Sequence, residues 1–253
     1  MNEYRIPSIA NTCAIFQLLT SSRKAMTTSA IAKELDLPRT SVFRIMRTLE
    51  VEGMVRCIDK SYVMGHRLIN LGLQVVSQIP ERNLCVPILQ ALTKATQESS
   101  HFAILSGANA LLIEVCDSPH ALRVASRPGT LADMHCSASG KVMLAYSTKE
   151  ARNDLLDRIK FVKRTENTHT SKESLLPELD EIRRVGYAVD DVEYHDHVRC
   201  LGAPVFNALN QVVGVIGITA AKSRFTKALI PEVSKKVIAA ANDLSKKLGH
   251  QQS

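Results

Sequence analysis

Tryptophan is absent from this 253-residue chain, and aromatic residues make up only 4% of it. Cysteine is sparse, and its six positions include no C-x-x-C pair, which argues against a zinc finger or a disulfide framework and favours reduced thiols. No apolar run reaches about 18 residues, and the N-terminus lacks a cationic start followed by an apolar core. We therefore expect a soluble, cytoplasmic protein with no membrane partner.

The net charge predicts the kind of partner, and the length predicts the number of domains. With 32 Lys and Arg against 25 Asp and Glu, the chain carries a formal charge of +7, which favours an anionic partner. Its 253 residues leave room for two domains. Because we find no internal repeat and no low-complexity segment, solenoids and disordered activators are excluded.

The segment Thr27–Leu49 has the pattern of two helices joined by a tight turn at Asp36–Leu37. Pro38 suits the start of the second helix, because its missing N–H would be unpaired there. The first helix packs through Ala30, Ile31 and Leu35. In the second helix the apolar residues recur at i, i+3, i+4 and i+7, at Val42, Ile45, Met46 and Leu49.

The opposite face of the second helix is cationic. It presents Thr40, Arg44 and Arg47, and no acidic residue lies between Arg39 and Thr48 to repel phosphate. A helix-turn-helix of this kind reads the major groove of duplex DNA. An ordinary amphipathic surface helix shares the hydrophobic pattern, and only the surrounding residues favour the DNA-binding interpretation. The predicted DNA contacts are Thr28, Arg39, Thr40, Ser41, Arg44, Arg47 and Lys60.

Two strand patterns at 54–57 and 62–64 follow directly and flank a polar turn that contains Lys60. A hairpin in this place makes the unit a winged helix, with Lys60 at the tip, where it can reach a phosphate or the minor groove. An earlier helix completes the small core, with apolar residues at Ile9, Cys13, Phe16 and Leu19.

The rest of the chain predicts a linker and a second domain. A helical stripe at 65–78 contains Leu68, Leu71, Val75 and Val76, and Pro80 ends it. Beyond it, strands are predicted at 101–105, 111–116, 122–126, 187–190, 199–206 and 212–220, and helices at 84–98, 138–146, 149–159, 172–185 and 230–248. We predict a winged helix-turn-helix domain at 1–67, a linker helix at 68–83, and an α+β domain with a mainly antiparallel sheet at 84–253.

Three motifs in this order resemble the IclR family of transcriptional regulators: TSVFRIMRTLEVEGMV at 40–55, MHCSASGK at 134–141, and GYAVDDVEYHDHVRCLGAPVFN at 186–207 with VVGVIGITA after it. The resemblance spans nearly the whole chain. It implies a GAF-like C-terminal domain with an effector pocket beside the sheet, a homodimer or dimer of dimers, and binding to double-stranded operator DNA. The sequence departs from the family pattern at three places: Pro38, where many members have serine, Asp133, where they often have proline, and His135-Cys136, where His-Ala is common.

The family's motif positions place the pocket at the helix predicted from residue 138. Its opening residues are small, so the free N–H groups and the helix dipole would favour a carboxylate, while Asp190 would bind hydroxyls. The alternative is that Val198 and Cys200 are plain core and that Asp190 caps a turn. We expect a small hydroxy acid, such as a sugar acid or its catabolite. The predicted effector-binding residues are Val124, Ala132, Met134, Ala138, Ser139, Gly140, Asp190, Val198 and Cys200.

Catalytic alternatives use the same region. Residues 139–141 match the end of a phosphate-binding loop, but His at 135 and Val at 142 break that pattern. A metal-dependent hydrolase or metal sensor would need nitrogen, oxygen and sulfur donors. The competing interpretation is that the histidines among them are solvated in a loop. The candidate set is His135, Asp190, His195, His197 and Cys200, with Cys136, Glu193 and Asp196 nearby.

No nucleophile, base and orienting group occur at recognisable spacing. We therefore expect no enzymatic activity, no cofactor and no bound metal. The sequence predicts a DNA-binding transcriptional regulator, a repressor rather than an activator, whose operator binding is controlled by a small organic acid.

Overall fold

A computed structural model describes residues 4–22 and 24–251. The chain divides into two compact units, Met1–Gln78 and Ile79–Ser253. Within the described residues, no helix has both the length and the apolar character needed to span a membrane.

The first unit is a winged helix. Its elements are α1 (Pro7–Ser22), β1 (Met26–Thr27), α2 (Thr28–Glu34), α3 (Arg39–Val51), β2 (Val55–Ile58), β3 (Ser61–Met64) and α4 (His66–Ser77). The strands pair antiparallel in the order β1-β3-β2. The predicted helix-turn-helix and wing hairpin are confirmed, whereas β1 was not predicted.

Local side-chain and backbone bonds set the ends of the two helices of the motif. The Thr27 hydroxyl accepts the Ala30 N–H at 3.2 Å and so caps α2. The Pro38 carbonyl accepts the N–H groups of Ser41 and Val42, at 3.0 and 3.1 Å. Pro38 therefore lies one position before α3, close to where the sequence predicts the helix start.

The predicted buried face of α1 is confirmed at Leu19, which is buried, and at Phe16, which packs against the core, but it is wrong at Ile9 and Cys13. Ile9 and Cys13 are exposed, and the buried residues of this helix are Ile15 and Leu19, which join the core around Met46. Apolar residues occur around most of the circumference of α1, so their periodicity does not single out one face. Contacts with α3 and β3 determine which face of α1 is buried.

The α4 helix has no buried residue, although every one of its positions is described. It ends at Ser77, and the second unit begins with α5 (Pro80–Thr96), four residues earlier than the predicted start at Leu84. The reason is that Pro80 occupies the first turn of α5, where proline loses no hydrogen bond.

The second unit is an α+β domain, as predicted. Its sheet has the order β6-β5-β4-β9-β8-β7, and every neighbouring pair is antiparallel. The remaining elements are β4 (Ser99–Ser106), β5 (Asn109–Cys116), β6 (Leu131–Asp133), α6 (Ala138–Tyr146), α7 (Lys149–Arg158), α8 (Lys172–Val185), β7 (Ala188–Asp191), β8 (Val198–Phe206), β9 (Val212–Ala221) and α9 (Ile230–Lys247).

The predicted strand at 122–126 is wrong: this segment is a loop, and the strand is β6. The N–H of Leu112 donates to the Thr130 carbonyl at 2.9 Å, and the N–H of Gly129 donates to the Leu112 carbonyl at 2.8 Å. The edge beside β5 is thus occupied by residues 129–133, which leaves 122–126 without a strand partner.

Helices cover both faces of the sheet. On β4, the His101 ring reaches Ser139 of α6, whereas the Ser100 hydroxyl donates to the Leu89 carbonyl of α5 at 2.9 Å. Because successive strand residues point to opposite faces, α6 and α5 lie on opposite sides. The α9 helix packs beside α5, and α8 beside α6. At Gly202 of β8 a Cβ atom would lie 3.6 Å from the Ser139 nitrogen, so the first turn of α6 lies close above the sheet.

Candidate functional site

The outer face of α3 has the cationic surface that its sequence predicts. Arg39, Thr40, Arg44 and Arg47 are exposed there, while Thr28 and Ser41 are half-buried. Lys60 is exposed at the hairpin tip, and both Asp59 and Lys60 have positive φ, at 48° and 62°. A turn with two such residues matches the twist of a tight hairpin, which explains why the wing projects at this point.

One acidic residue neutralises part of the positive charge on this face. The Arg47 guanidinium donates to Glu50 Oε2 at 2.7 Å, one turn further along α3. Arg44 makes no ion pair with any residue in 4–22 or 24–251. Arg44 is thus available to a ligand, whereas Arg47 must first exchange its intramolecular partner.

A cavity of about 160 Å³ lies in the second unit, between the start of α6 and the sheet. The structure brings seven of the nine predicted effector residues to its wall, leaving out Met134 and Gly140. The residues lining the cavity are His101, Leu112, Val124, Ser126, Thr130, Ala132, Ser137, Ala138, Ser139, Asp190, Tyr194, His195, Val198, Cys200 and Thr219.

Gly140 supports the cavity from behind instead of lining it. A Cβ atom at this position would lie 2.4 Å from Met134 Cα, so the loop before α6 can pack this closely only against glycine. The N–H of Gly140 donates to the Ser137 hydroxyl at 3.1 Å, which caps the helix. The amides of Ala138 and Ser139, the first two residues of the helix, have no acceptor within α6.

A polar row crosses the sheet beneath the cavity. Asp190 pairs in register with Cys200, and Cys200 with Thr219. The Cys200 thiol donates to the Thr219 hydroxyl at 3.6 Å, and Thr219 Oγ1 lies 3.5 Å from His101 Nδ1. His101 Nε2 lies 3.0 Å from the Ser139 hydroxyl. The row therefore connects Asp190 to the first turn of α6.

Asp190 is fully buried and uses its two carboxylate oxygens differently. Oδ1 accepts the N–H groups of Glu193 and Tyr194, at 2.7 and 3.2 Å. Oδ2 is buried and has no partner among the described residues. Burial raises the pKa of Asp190 above its ordinary value. The turn-capping interpretation therefore holds for Oδ1, whereas a ligand contact at Oδ2 stays a prediction.

The cavity wall carries no fixed positive charge. Among its described lining residues there is no lysine or arginine. Burial lowers the pKa of His101 to about 4, so this imidazole is neutral at neutral pH. An anion in this cavity would depend on the amides and the dipole at the start of α6.

A buried lysine holds the two sides of the cavity together. Lys141 Nζ donates to Glu193 Oε1 at 2.5 Å, to Glu178 Oε1 at 2.6 Å and to the Val189 carbonyl at 2.7 Å. These bonds raise the pKa of Lys141 against the effect of its burial. Lys141 is thus a buried structural cation that ties α6 to β7 and to the turn after it.

The metal-binding set expected as an alternative is not assembled. Asp190, His195 and Cys200 line the cavity, but His197 does not, and His135 lies in the loop before α6. In residues 4–22 and 24–251, the donor groups with ligand atoms within 4.8 Å of one another form two other sets. They are Asp133, His135 and Cys136, and His169, Glu178 and Glu193. In the second set, Glu178 and Glu193 both accept hydrogen bonds from the Lys141 ammonium.

Sequence reasoning missed His101, Thr219 and Tyr194 as lining residues. His101 and Thr219 lie 118 positions apart on strands that become neighbours only in the folded sheet. The only signals in the sequence were His101 in β4, a strand that also contains three serines, and Thr219 in the otherwise apolar β9. Polar residues of this kind are common in strands, so neither signal singles out a site. The Arg164 guanidinium stacks on the Tyr194 ring, 4.4 Å from its centroid.

A winged helix joined to a sheet domain with a small cavity at the start of a helix defines a class of ligand-responsive transcriptional regulators. Family models described as the IclR helix-turn-helix domain and the bacterial transcriptional regulator IclR C-terminal match residues 8–57 and 73–246. The chain belongs to the IclR family of transcriptional regulators. The relatives and solved structures that it matches are transcriptional regulators.

Individual relatives agree with this assignment. The HTH-type transcriptional regulator KdgR of Escherichia coli is 27% identical over 97% of this chain and 94% of its own length. The crystal structure of the Thermotoga maritima IclR protein is 28% identical, with a TM-score of 0.76 over 97% of this chain and 100% of that one. An IclR homologue from Microbacterium hydrocarbonoxydans, crystallised with 4-hydroxybenzoate, shares the fold, with a TM-score of 0.81 over 95% of this chain and 98% of that one at 21% identity.

Proposed function

We propose that this protein is a repressor whose binding to operator DNA is controlled by a small hydroxy acid in the cavity of the second unit. The observation that carries the proposal is the buried Asp190 Oδ2, which has no partner among the described residues and belongs to a residue of the cavity wall. Leaving a buried acceptor unpaired costs about 1–3 kcal/mol, and a ligand hydroxyl would remove that cost.

The opposite side of the cavity suits a carboxylate. The amides of Ala138 and Ser139 are the free donors of a helix start, and the dipole of α6 favours an anion there. The Ser139 hydroxyl, bonded to His101, adds one more polar group. At about 160 Å³, the cavity is below the roughly 300–1,000 Å³ of drug-sized ligand pockets, so it favours a small acid. The 4-hydroxybenzoate of the Microbacterium homologue is itself a hydroxy acid.

The first unit supplies the surface for DNA. The exposed Arg39, Arg44 and Arg47 of α3 suit the major groove, with Lys60 on the adjoining backbone or minor groove. Exposed apolar residues on α4 suit a contact between two copies. A symmetric dimer would place its two α3 helices on half-sites related by a two-fold axis. Operator DNA and a second copy of the chain are therefore the proposed macromolecular partners.

A matched ligand series tests the cavity assignment. Lactate, propionate and lactamide differ by one hydroxyl or one charge, and thermal unfolding of the full chain with each measures binding; 4-hydroxybenzoate and larger sugar acids extend the series. A ligand at 100 times its Kd should stabilise the folded state by about 2.7 kcal/mol. We expect acids with a hydroxyl to bind best. Failure of every small acid in the series to stabilise the protein would contradict the proposal.

Asp190→Asn isolates the role of the carboxylate. Asparagine retains an oxygen for the N–H groups of Glu193 and Tyr194, so the turn stays capped, while the acceptor at Oδ2 becomes a donor. The affinity for the best acid should fall about ten- to a hundredfold, whereas operator affinity without ligand stays the same. The control is Asp196→Asn, an exposed position outside the cavity wall. Equal ligand affinity in parent and Asp190→Asn would rule out Asp190 as a ligand contact.

A further inference from the structure

We propose that Asp133, His135 and Cys136 form a binding site for a divalent transition metal of the zinc type in the loop before α6. One ligand atom from each of the three lies within 4.8 Å of the others. This trio shares His135 and Cys136 with the donors considered from the sequence, adds Asp133, and lies outside the wall of the effector cavity.

One nitrogen of the His135 ring has a lone pair that can bind a ligand. The side chain is fully buried, and Nε2 lies 3.1 Å from the Val162 carbonyl. Because a carbonyl only accepts, Nε2 must carry the hydrogen, and Nδ1 is left with a lone pair. Nδ1 is buried and has no hydrogen-bond partner among the described residues. A histidine that binds a metal through one nitrogen commonly donates its other N–H to a backbone carbonyl, as His135 does here.

The other two donors complete a chemically consistent set. The Cys136 side chain is fully buried, and a thiolate, an imidazole and a carboxylate together favour Zn²⁺ over Ca²⁺ or Mg²⁺. The Arg164 Nε donates to Asp133 Oδ2 at 2.5 Å, which orients the carboxylate and leaves Oδ1 for a metal. The thiolate and the carboxylate would supply two negative charges to a divalent ion, and the carboxylate shares its charge with Arg164. Three protein ligands leave the fourth tetrahedral position for water.

The surroundings of the trio add support. Asp133 and His135 also line a second cavity of about 320 Å³, which gives a metal a route to the site. The residues on either side of the trio, Ala132 and Ser137, line the effector cavity, so a bound metal would fix the loop that forms part of its wall.

Metal titration of the full chain tests this site. The probe is Zn²⁺ added to chelator-treated protein in competition with a chromophoric chelator, in a Cys13→Ser, Cys57→Ser background that removes the two exposed thiols. We expect one tight site per chain. The same experiment with Co²⁺ should give the near-ultraviolet absorption of a thiolate bound to cobalt.

Cys136→Ala should weaken Zn²⁺ binding at least tenfold and abolish the cobalt–thiolate absorption, and Asp133→Asn should weaken binding with the absorption retained. Alanine at 136 is smaller than cysteine and apolar, so this variant keeps the fold, which circular dichroism verifies. The controls are Cys116→Ala and His169→Gln, which should bind metal like the parent. Undiminished Zn²⁺ binding by Cys136→Ala, or a cobalt complex without thiolate absorption, would overturn the proposal. So would the absence of a tight site in the parent.

Discussion

Lys141 Nζ lies 2.5 Å from Glu193 Oε1, and both side chains are buried. Burial raises the pKa of Glu193 to about 7, although the Lys141 charge acts in the opposite direction. The pair joins α6, whose first residues line the cavity, to the turn that Asp190 caps. The distance between the two proposed ligand-binding groups is therefore set by a charge pair outside the cavity wall.

Lys141→Met should destabilise the protein by about 3–5 kcal/mol, because it leaves Glu193 buried without its counter-ion. Guanidinium unfolding measures the loss. The matched control is Lys172→Met, whose ion pair with Asp157 is largely exposed and should cost no more than about 1 kcal/mol. Similar losses of unfolding free energy in the two variants would show that the buried pair stabilises the protein no more than the exposed pair does.

The neutral His101 should make the protein sensitive to acid. Its pKa is about 4 in the folded state and 6.5 when exposed, because burial disfavours the imidazolium. Between these values the unfolded chain binds a proton that the folded chain does not. Its contribution to stability is therefore complete above pH 6.5 and is lost as the pH falls towards 4. The shift corresponds to roughly 3 kcal/mol.

His101→Gln provides the measurement, since glutamine keeps polar atoms and does not titrate. Between pH 7 and pH 4 the parent should lose roughly 3 kcal/mol more unfolding free energy than the variant. The comparison is needed because Glu193, with its raised pKa, stabilises the folded state most at low pH and so opposes His101 in the same range. Parallel pH profiles for parent and variant would mean that His101 is not kept neutral.

Arg44 and Lys60 should contribute to DNA binding in different ways. If Arg44 contacts a guanine, Arg44→Ala should lower affinity for the specific operator by about 1–3 kcal/mol and relax specificity at that base pair. Lys60→Ala should weaken specific and non-specific DNA equally. Fluorescence anisotropy with operator and scrambled duplexes separates the two effects. Unchanged operator affinity in a folded Arg44→Ala variant would refute the placement of α3 in the major groove.

Glu50→Gln should strengthen DNA binding. The substitution removes the ion pair that holds Arg47, at 2.7 Å, and frees its guanidinium for a phosphate. We expect higher affinity for any duplex and a salt dependence steeper by about one released counter-ion. Glu52→Gln is the control, since Glu52 pairs with Arg67 away from α3's exposed arginines. An affinity gain of the same size in both variants would point to net charge instead of Arg47.

The exposed apolar residues of α4 should promote self-association. Leu71 and Val75 are 41% and 61% exposed, and replacing both with lysine should weaken the oligomer measured by sedimentation. Operator affinity should fall as well, because a monomer loses the gain in effective concentration from two linked DNA-binding units. The control replaces the exposed polar Asn70 and Gln74 with lysine. Unchanged sedimentation of the Leu71, Val75 variant would contradict a role for α4 in the oligomer.

Sequence reasoning worked best where the determining contacts are local. The sequence predicts the start of α6 at residue 138, where small residues open the helix. It also predicts that Val198 and Cys200 share a face, because strands alternate every second residue. It failed where distant segments compete for one place. Residues 122–126 have a strand-like composition, but 129–133 take the edge of β5. The polar row depends on the pairing of β9 with β4 and β8, which no local pattern reports.

The α4 helix, with 12 residues and none of them buried, has a consequence for folding. An isolated helix of this length is marginal in water, and α4 has neither an acidic residue in its first turn nor a basic one in its last to favour the helix dipole. Most of its stability must then come from whatever covers its apolar residues. The helicity of 66–77 should consequently rise with protein concentration, because contact between chains covers these residues.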